Sequence, residues 1–287
     1  MKDPTVSIII PSFNRAHLLP KTIPQYVQKH VCEIIIIDDN STDNTEEVVN
    51  NLMIEIPILK YYKSLKKIRQ TGAKNIGISL ALGDYCFFDD DDNILKEGSI
   101  ESLVQTAQIK GDAIIGARHY FMNKNESLEE LLLDASVMPN FDIKLFFNKN
   151  NLHLNVYPRL TDVVELPLCH ACFLIPTKIA KSQQFNESLL GTCNKEETDY
   201  IMQLCSKGYK VYLDCNALSI DLPREISTGG IRSVSVIKRH IFESYNEFVF
   251  FKRNRTYIKT ISTMNTNPYF RAFMHFAEKI LRIIWLK

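Results

Sequence analysis

Two glycine-rich signatures are absent from this 287-residue chain: it holds no GxGxxG and no GxxxxGK[ST] stretch. A dinucleotide cradle and an ATPase-type phosphate loop both rely on such backbone approach, so neither is supported. Glycine is scarce altogether, at ten residues, and no Gly/Ser linker, internal repeat or low-complexity run divides the chain. One main body with a helical C-terminal appendage is expected. No window reaches the roughly 18 uncharged apolar residues that a spanning helix needs. The apolar run 6–10 is too brief for a signal-peptide core and stops at Pro11. Seven cysteines are an odd number for a disulfide framework, so reduced thiols in a reducing, cytoplasmic compartment are expected. An excess of one charge is missing as well: 34 Lys and Arg face 33 Asp and Glu. That balance argues against a chain that coats nucleic acid.

What is present is alternation. Residues 6–10 and 34–37 are continuous β-branched runs, as in strands buried on both faces of a parallel sheet. Helical patterns are read at 16–29, to about 52 after the capping residues Ser41, Thr42 and Asp43 with Glu46 near the start, at 72–82 before Gly83, and at 97–109. Further strands are expected at 58–62, 84–88 and 112–117. This order predicts an α/β fold with a mostly parallel sheet. Segment 118–165 has no clean period and reads as excursions from the sheet. The pattern resumes with a strand at 171–176, a helix at 195–207 and a strand at 211–214. Two helical stretches close the chain, at 234–252 and 268–285.

Ligands of open α/β sheets bind beyond the carboxyl ends of the strands. The residues there are Pro11, Ser12, Phe13, Asn14 and Arg15 after the first strand, and Asp38, Asp39, Asn40 and Ser41 after the second. After the fourth come Asp89, Asp90, Asp91, Asp92 and Asn93. Neighbouring carboxylates raise each other's pKa, and a cation reverses that effect. An all-oxygen donor set selects Mg²⁺ or Mn²⁺. If the run is extended, Asp89 and Asp91 project to one side and Asp90 and Asp92 to the other, so one ion can touch only some of them. The plainer account is a solvated acidic loop, but its place at the end of an apolar strand favours a cation site. Without a glycine-rich loop, a phosphate-bearing ligand would rely on the ion with Arg15, Arg69 and Lys74.

Residues 6–15, 33–43, 71–77 with 81–85, and 88–93 together resemble, in order, four motifs of family-two glycosyltransferases, which have the GT-A fold. The resemblance covers about residues 5–215. It implies a nucleotide-binding half over about 1–117 and an acceptor half over about 118–229, and a basic helical segment is expected over 230–287 from its charge. By position, Asp39 matches the residue that binds the nucleotide base, and Ser12 lies beside the nucleotide. Asp91 and Asp92 match the carboxylates that contact the donor ribose and hold Mn²⁺ or Mg²⁺, with Asp89 as the first Asp of the DxD motif. Pro11, Asn14, Arg15, Arg69 and Lys74 complete the expected donor-binding set. Lys74 stands where the family commonly has Arg, a better planar fork for phosphate. Glu197 matches the catalytic Asp of the family's Glu-Asp segment, which makes it the expected general base. Glu196 and His170 are expected at the acceptor pocket. For the two glutamates, the plainer alternative is that they favour the positive end of a helix.

The implied activity is metal-dependent inverting transfer from a nucleotide sugar, a UDP-sugar first, to a saccharide or lipid-linked acceptor. The alternative is a non-catalytic relative that binds a nucleotide or polysaccharide. A nucleotidyltransferase wants a Gly-rich basic turn after the first strand. A haloacid-dehalogenase-like phosphatase wants its DxD there.

The balanced charge is a cancellation. Residues 230–287 hold eleven Lys and Arg against three Glu, a net of +8, which leaves 1–229 at −7. In the last helix Phe273, Phe276, Ala277, Ile280, Ile283 and Ile284 form an apolar stripe opposite Arg271, His275, Glu278 and Arg282. Such a helix either lies on an anionic membrane, at the inner face in a cytoplasmic protein, or docks its apolar face on the domain.

Overall fold

The computed structural model describes residues 3–133, 142–169, 171–229 and 235–285. β1 (Val6–Ser12) leads to a short α1 (Leu19–Thr22) and a 3-10 turn at Ile23–Tyr26. The longer helix expected at 16–29 does not form. Pro20 and Pro24, each lacking an N–H, open two separate short turns instead. Next come β2 (Val31–Asp38), α2 (Thr45–Glu55), β3 (Leu59–Lys63), α3 (Arg69–Leu80) and β4 (Tyr85–Phe88). β5 (Asn93–Leu95), α4 (Ser99–Lys110) and β6 (Ala113–Phe121) follow, then α5 (Leu128–Leu133). A small hairpin of β7 (Phe147–Asn148) and β8 (His153–Leu154) precedes β9 (Val164–Leu166), β10 (Phe173–Pro176) and α6 (Thr177–Ala180). The chain ends with α7 (Glu196–Ser206), β11 (Lys210–Asp221), α8 (Val236–Ile261) and α9 (Pro268–Trp285).

The main sheet runs β3-β2-β1-β4-β10-β6-β11-β5, with β9 also on β11. β3, β2, β1 and β4 are parallel. β10 is antiparallel to both β4 and β6, and β6 is parallel to β11. Six strands, β1, β2, β3, β4, β6 and β11, therefore point the same way, and Ser12, Asp38, Phe88, Phe121 and Asp221 are among the strand ends at one edge. This is the mixed, mostly parallel, helix-flanked sheet that the alternation predicts.

Alternation within strands fills two cores. Val6, Ile8, Ile10, Ile34 and Ile36 face Leu19, Val49, Leu52 and Leu103. Ile9, Ile35 and Ile37 face Ala73, Ile78, Tyr200 and Ile201. Gly77 lets α3 lie close on the sheet, since a Cβ there would come 2.4 Å from Ile9 Cγ2.

Two strands extend beyond their expected ends at 117 and 214. Pairing of β6 with β11 is interrupted after Asp214 and resumes from Leu218↔Arg118 to Asp221↔Phe121. That second stretch carries His119 and Asp221 to the functional edge. α8 is no loose appendage: Phe250, Phe251 and Ile258 are buried with Met202 and Leu213. The expected junction at 229/230 borders residues 230–234, which lie outside the described residues.

Candidate active site

The strand ends surround a pocket of about 310 Å³ lined by Pro11, Ser12, Arg15, Asp39, Asp91 and Asp92, among others. β1 delivers Ser12, whose Oγ donates to Asp91 Oδ2 at 2.7 Å. Arg15 reaches across the acidic run: its guanidinium lies 2.6 Å from Asp91 Oδ1 and 2.8 Å from Asp92 Oδ2. Burial pushes the Asp92 carboxyl up to about 7, with Asp91 adding to the shift and Arg15 easing it. Asp91 is also raised by burial, and Arg15 and Ser12 partly offset that. One guanidinium thus leaves this oxygen-lined pocket short of positive charge.

Asp39 accepts backbone hydrogen bonds from Ile68 at 2.5 Å and Arg69 at 3.0 Å. It ties the start of α3 to the end of β2 while lining the pocket. Burial raises its carboxyl, and those two N–H groups pull the other way.

Several expected donor contacts take other places. Asn14, at φ +51°, accepts from Thr42 N at 2.8 Å and joins the loops after β1 and β2 rather than lining the pocket. Arg69 contributes its backbone N–H to Asp39. Asp89 turns inward: Cys172 Sγ lies 3.0 Å from Oδ1 and Ser219 Oγ 3.1 Å from Oδ2, and Asn93 also donates to it. Burial lifts its carboxyl to about 6. The alternation expected for an extended run fails because the chain turns at Asp91 and Asp92. Asp90, Asp91 and Asp92 line the pocket together, without Asp89.

Lys74 is the larger correction. It is fully buried on α3, with Nζ 3.3 Å from Glu196 Oε1 and paired with Glu197 Oε1. It therefore contacts the first turn of α7 and not the donor pocket. Burial works against its ammonium, yet Glu197 and Glu196 outweigh that and hold its pKa above the ordinary lysine value. Burial, then Glu197, pushes Glu196 up to about 8.

Glu196 and Glu197 line a second cleft of about 780 Å³, together with His119, Leu152, Glu243, Phe250 and Lys279. The two clefts share Gln70, Asp90, Thr192 and Asp221, and Gln70 Nε2 donates to Asp90 Oδ1 at 2.8 Å. Asp221 pairs with His119 Nε2 at 2.5 Å. Burial opposes the His119 imidazolium, but Asp221 raises its pKa to about 8. The sequence pattern assigns no role to Asp221, His119, Gln70 or Thr192. The strand-end rule pointed to Asp221 once β11 was known to continue past 214. His170 lies outside the described residues.

Among the described residues no group of three His, Cys, Asp or Glu is arranged to hold an ion on its own. A Mg²⁺-like ion characteristically uses one or two carboxylates plus substrate phosphates. Asp91 and Asp92, crowded carboxylates beside an open pocket, fit that donor set.

Residues 7–160, more than half of the chain, match the family described as Glycosyl transferase family 2. The chain belongs to that family. It is 39% identical over 107 residues to the GalNAc(5)-diNAcBac-PP-undecaprenol beta-1,3-glucosyltransferase of Campylobacter jejuni, covering 36% of this chain and 35% of that protein. It is 28% identical over 144 residues to the poly(ribitol-phosphate) beta-N-acetylglucosaminyltransferase TarP of Staphylococcus aureus, covering 48% of this chain and 43% of that one. The matches thus span well under half of these relatives. Among solved structures, S. aureus TarS 1–349 in complex with UDP is similar over 86% of this chain and 65% of its own (TM-score 0.55, 13% identity). GalNAc-T7 with UDP, GalNAc and Mn²⁺ is similar over 87% and 51% (TM-score 0.62, 14% identity). At these identities the two structures establish the GT-A fold alone.

Proposed function

We propose that this family 2 member transfers a sugar from a UDP-sugar to a saccharide or lipid-linked acceptor, in glycan assembly, with inversion at the anomeric carbon. The observation that carries the reading is the pair of adjoining clefts, one acidic at the strand ends and one holding Glu196 and Glu197, which meet at Gln70, Asp90, Thr192 and Asp221. The first suits a nucleoside diphosphate, with Asp39 toward the base and Ser12 and Asp91 toward the ribose. Asp92 and Asp91 would hold Mn²⁺ or Mg²⁺, which supplies charge stabilisation for the departing diphosphate. UDP in the TarS structure and UDP with Mn²⁺ in the GalNAc-T7 structure support this donor chemistry. Acceptor choice takes support from the relatives' names, which specify a diphosphoundecaprenol glycan and a poly(ribitol phosphate).

In the second cleft Glu197 takes the proton of the acceptor hydroxyl. The freed oxygen attacks the anomeric carbon while the bond from that carbon to the diphosphate oxygen breaks on the opposite side. Arg15, already against Asp91 and Asp92, is placed to receive phosphate charge.

Calorimetric titration with UDP tests the donor half. Tight binding is expected with Mn²⁺, and Asp92→Ala should weaken it at least about tenfold, or 1.4 kcal/mol. Equal affinity with and without Mn²⁺ would remove the metal from the account. UDP binding without turnover of any sugar nucleotide would instead support a non-catalytic relative.

A further inference from the structure

We propose that the outward faces of α8 and α9 form a docking surface for an anionic lipid bilayer. The first observation is the orientation of α9, which packs its charged edge inward. His275 lies 3.7 Å from Glu247 Oε1 and 3.6 Å from Glu243 Oε2 of α8, and Lys279 lies 4.0 Å from Glu243. Arg271, one turn earlier, stacks over the Phe251 ring at 4.9 Å. These residues recur every four positions and form the contact row with α8. The opposite face leaves Tyr269 75%, Phe273 67% and Leu281 54% exposed, with Phe270 and Met274 between them. A helix on a soluble surface buries its apolar stripe and shows its charges to water. Here the arrangement is reversed, so the expectation that α9 docks its apolar face on the domain fails for these described residues.

The second observation is on α8. Ile237, Ile241 and Tyr245 are exposed, four residues apart, and the row continues through Phe248. The Phe248 ring packs against Tyr269 with centroids 5.0 Å apart, which joins the two apolar faces into one. Beyond Phe248 the same row becomes basic, with exposed Lys252, Arg255 and Lys259.

Charge selects the occupant. Residues 235–285 hold nine Lys and Arg against three Glu, and two of those, Glu243 and Glu247, face inward against His275. Aromatic and aliphatic side chains bordered by basic ones match the boundary between acyl chains and anionic headgroups. A second copy would bring no acid on this α8 row to meet its own basic stretch. Among the described residues no helix is long and apolar enough to cross a membrane, so this surface would lie on the bilayer. Glu243, Phe250 and Lys279 of the same two helices line the cleft that holds Glu197, which would bring that cleft beside the membrane.

Co-sedimentation of the full chain with vesicles tests the surface without depending on transfer activity. Vesicles of phosphatidylcholine mixed with phosphatidylglycerol should bind the chain at least about tenfold better than phosphatidylcholine alone, and added salt should weaken that binding. Phe273→Asp combined with Ile241→Asp should lower it about tenfold or more while UDP affinity stays unchanged. Lys252→Gln, Arg255→Gln and Lys259→Gln together should lower it as well, through exposed positions that leave the core intact. No vesicle binding, equal binding to both compositions, or binding that survives both sets of substitutions would overturn the proposal. So would a dimer in solution that the Phe273 and Ile241 substitutions dissociate, with no vesicle binding.

Discussion

Glu197→Gln is expected to bind UDP-sugar with unchanged affinity and to lose transfer by about 10²–10⁴-fold, the range a positioned general base contributes. Glutamine keeps the shape and the hydrogen bond to Lys74 but cannot accept the hydroxyl proton. Glu197 lines the second cleft and not the acidic pocket, so donor affinity should be untouched. Transfer rates set against UDP titration separate the two effects. Retained turnover would pass the role to another group on that cleft. Glu196 is the nearest candidate, with its carboxyl pushed up to about 8 by burial and by Glu197.

Lys74→Met is expected to move the acid limb of the pH–rate profile upward by about one unit or more. Lys74 supplies the buried positive charge against both glutamates. Glu196 is already pushed up to about 8 beside the lysine, and without that ammonium the pair of carboxyls loses the charge that favours ionisation and holds its protons to higher pH. A base must be deprotonated to act, so a raised pKa suppresses the rate at neutral pH and restores it as pH rises. UDP·Mn²⁺ affinity should not change, because Lys74 lies off the donor pocket. A weakened donor with an unshifted pH profile would return Lys74 to the donor-binding role that its place in the sequence suggested.

The contrast between those two roles shows where sequence reasoning stops. β1, β2 and β4 were legible because strands buried on both faces are nearly pure apolar runs, and the acidic residues at their ends follow from the strand-end rule. That Lys74 meets Glu196 and Glu197, more than 120 residues away, depends on α3 and α7 packing into the same core against the sheet, which no local pattern records. Asp89 was placed by alternation, and alternation ends where the chain turns at Asp91. His119 and Asp221 were hidden because β6 and β11 resume pairing after an irregularity. For α9 the two stripes were visible in the sequence. Which stripe faces inward was set by Glu243 and Glu247 on a different helix.

The most direct test of the central claim is release of UDP from a panel of UDP-sugars, measured with Mn²⁺ and again with a chelator. The account predicts release from one or a few of the sugars, lost on chelation and in Asp92→Ala. Release that ignores the chelator, or none from any sugar while UDP itself binds, would contradict it.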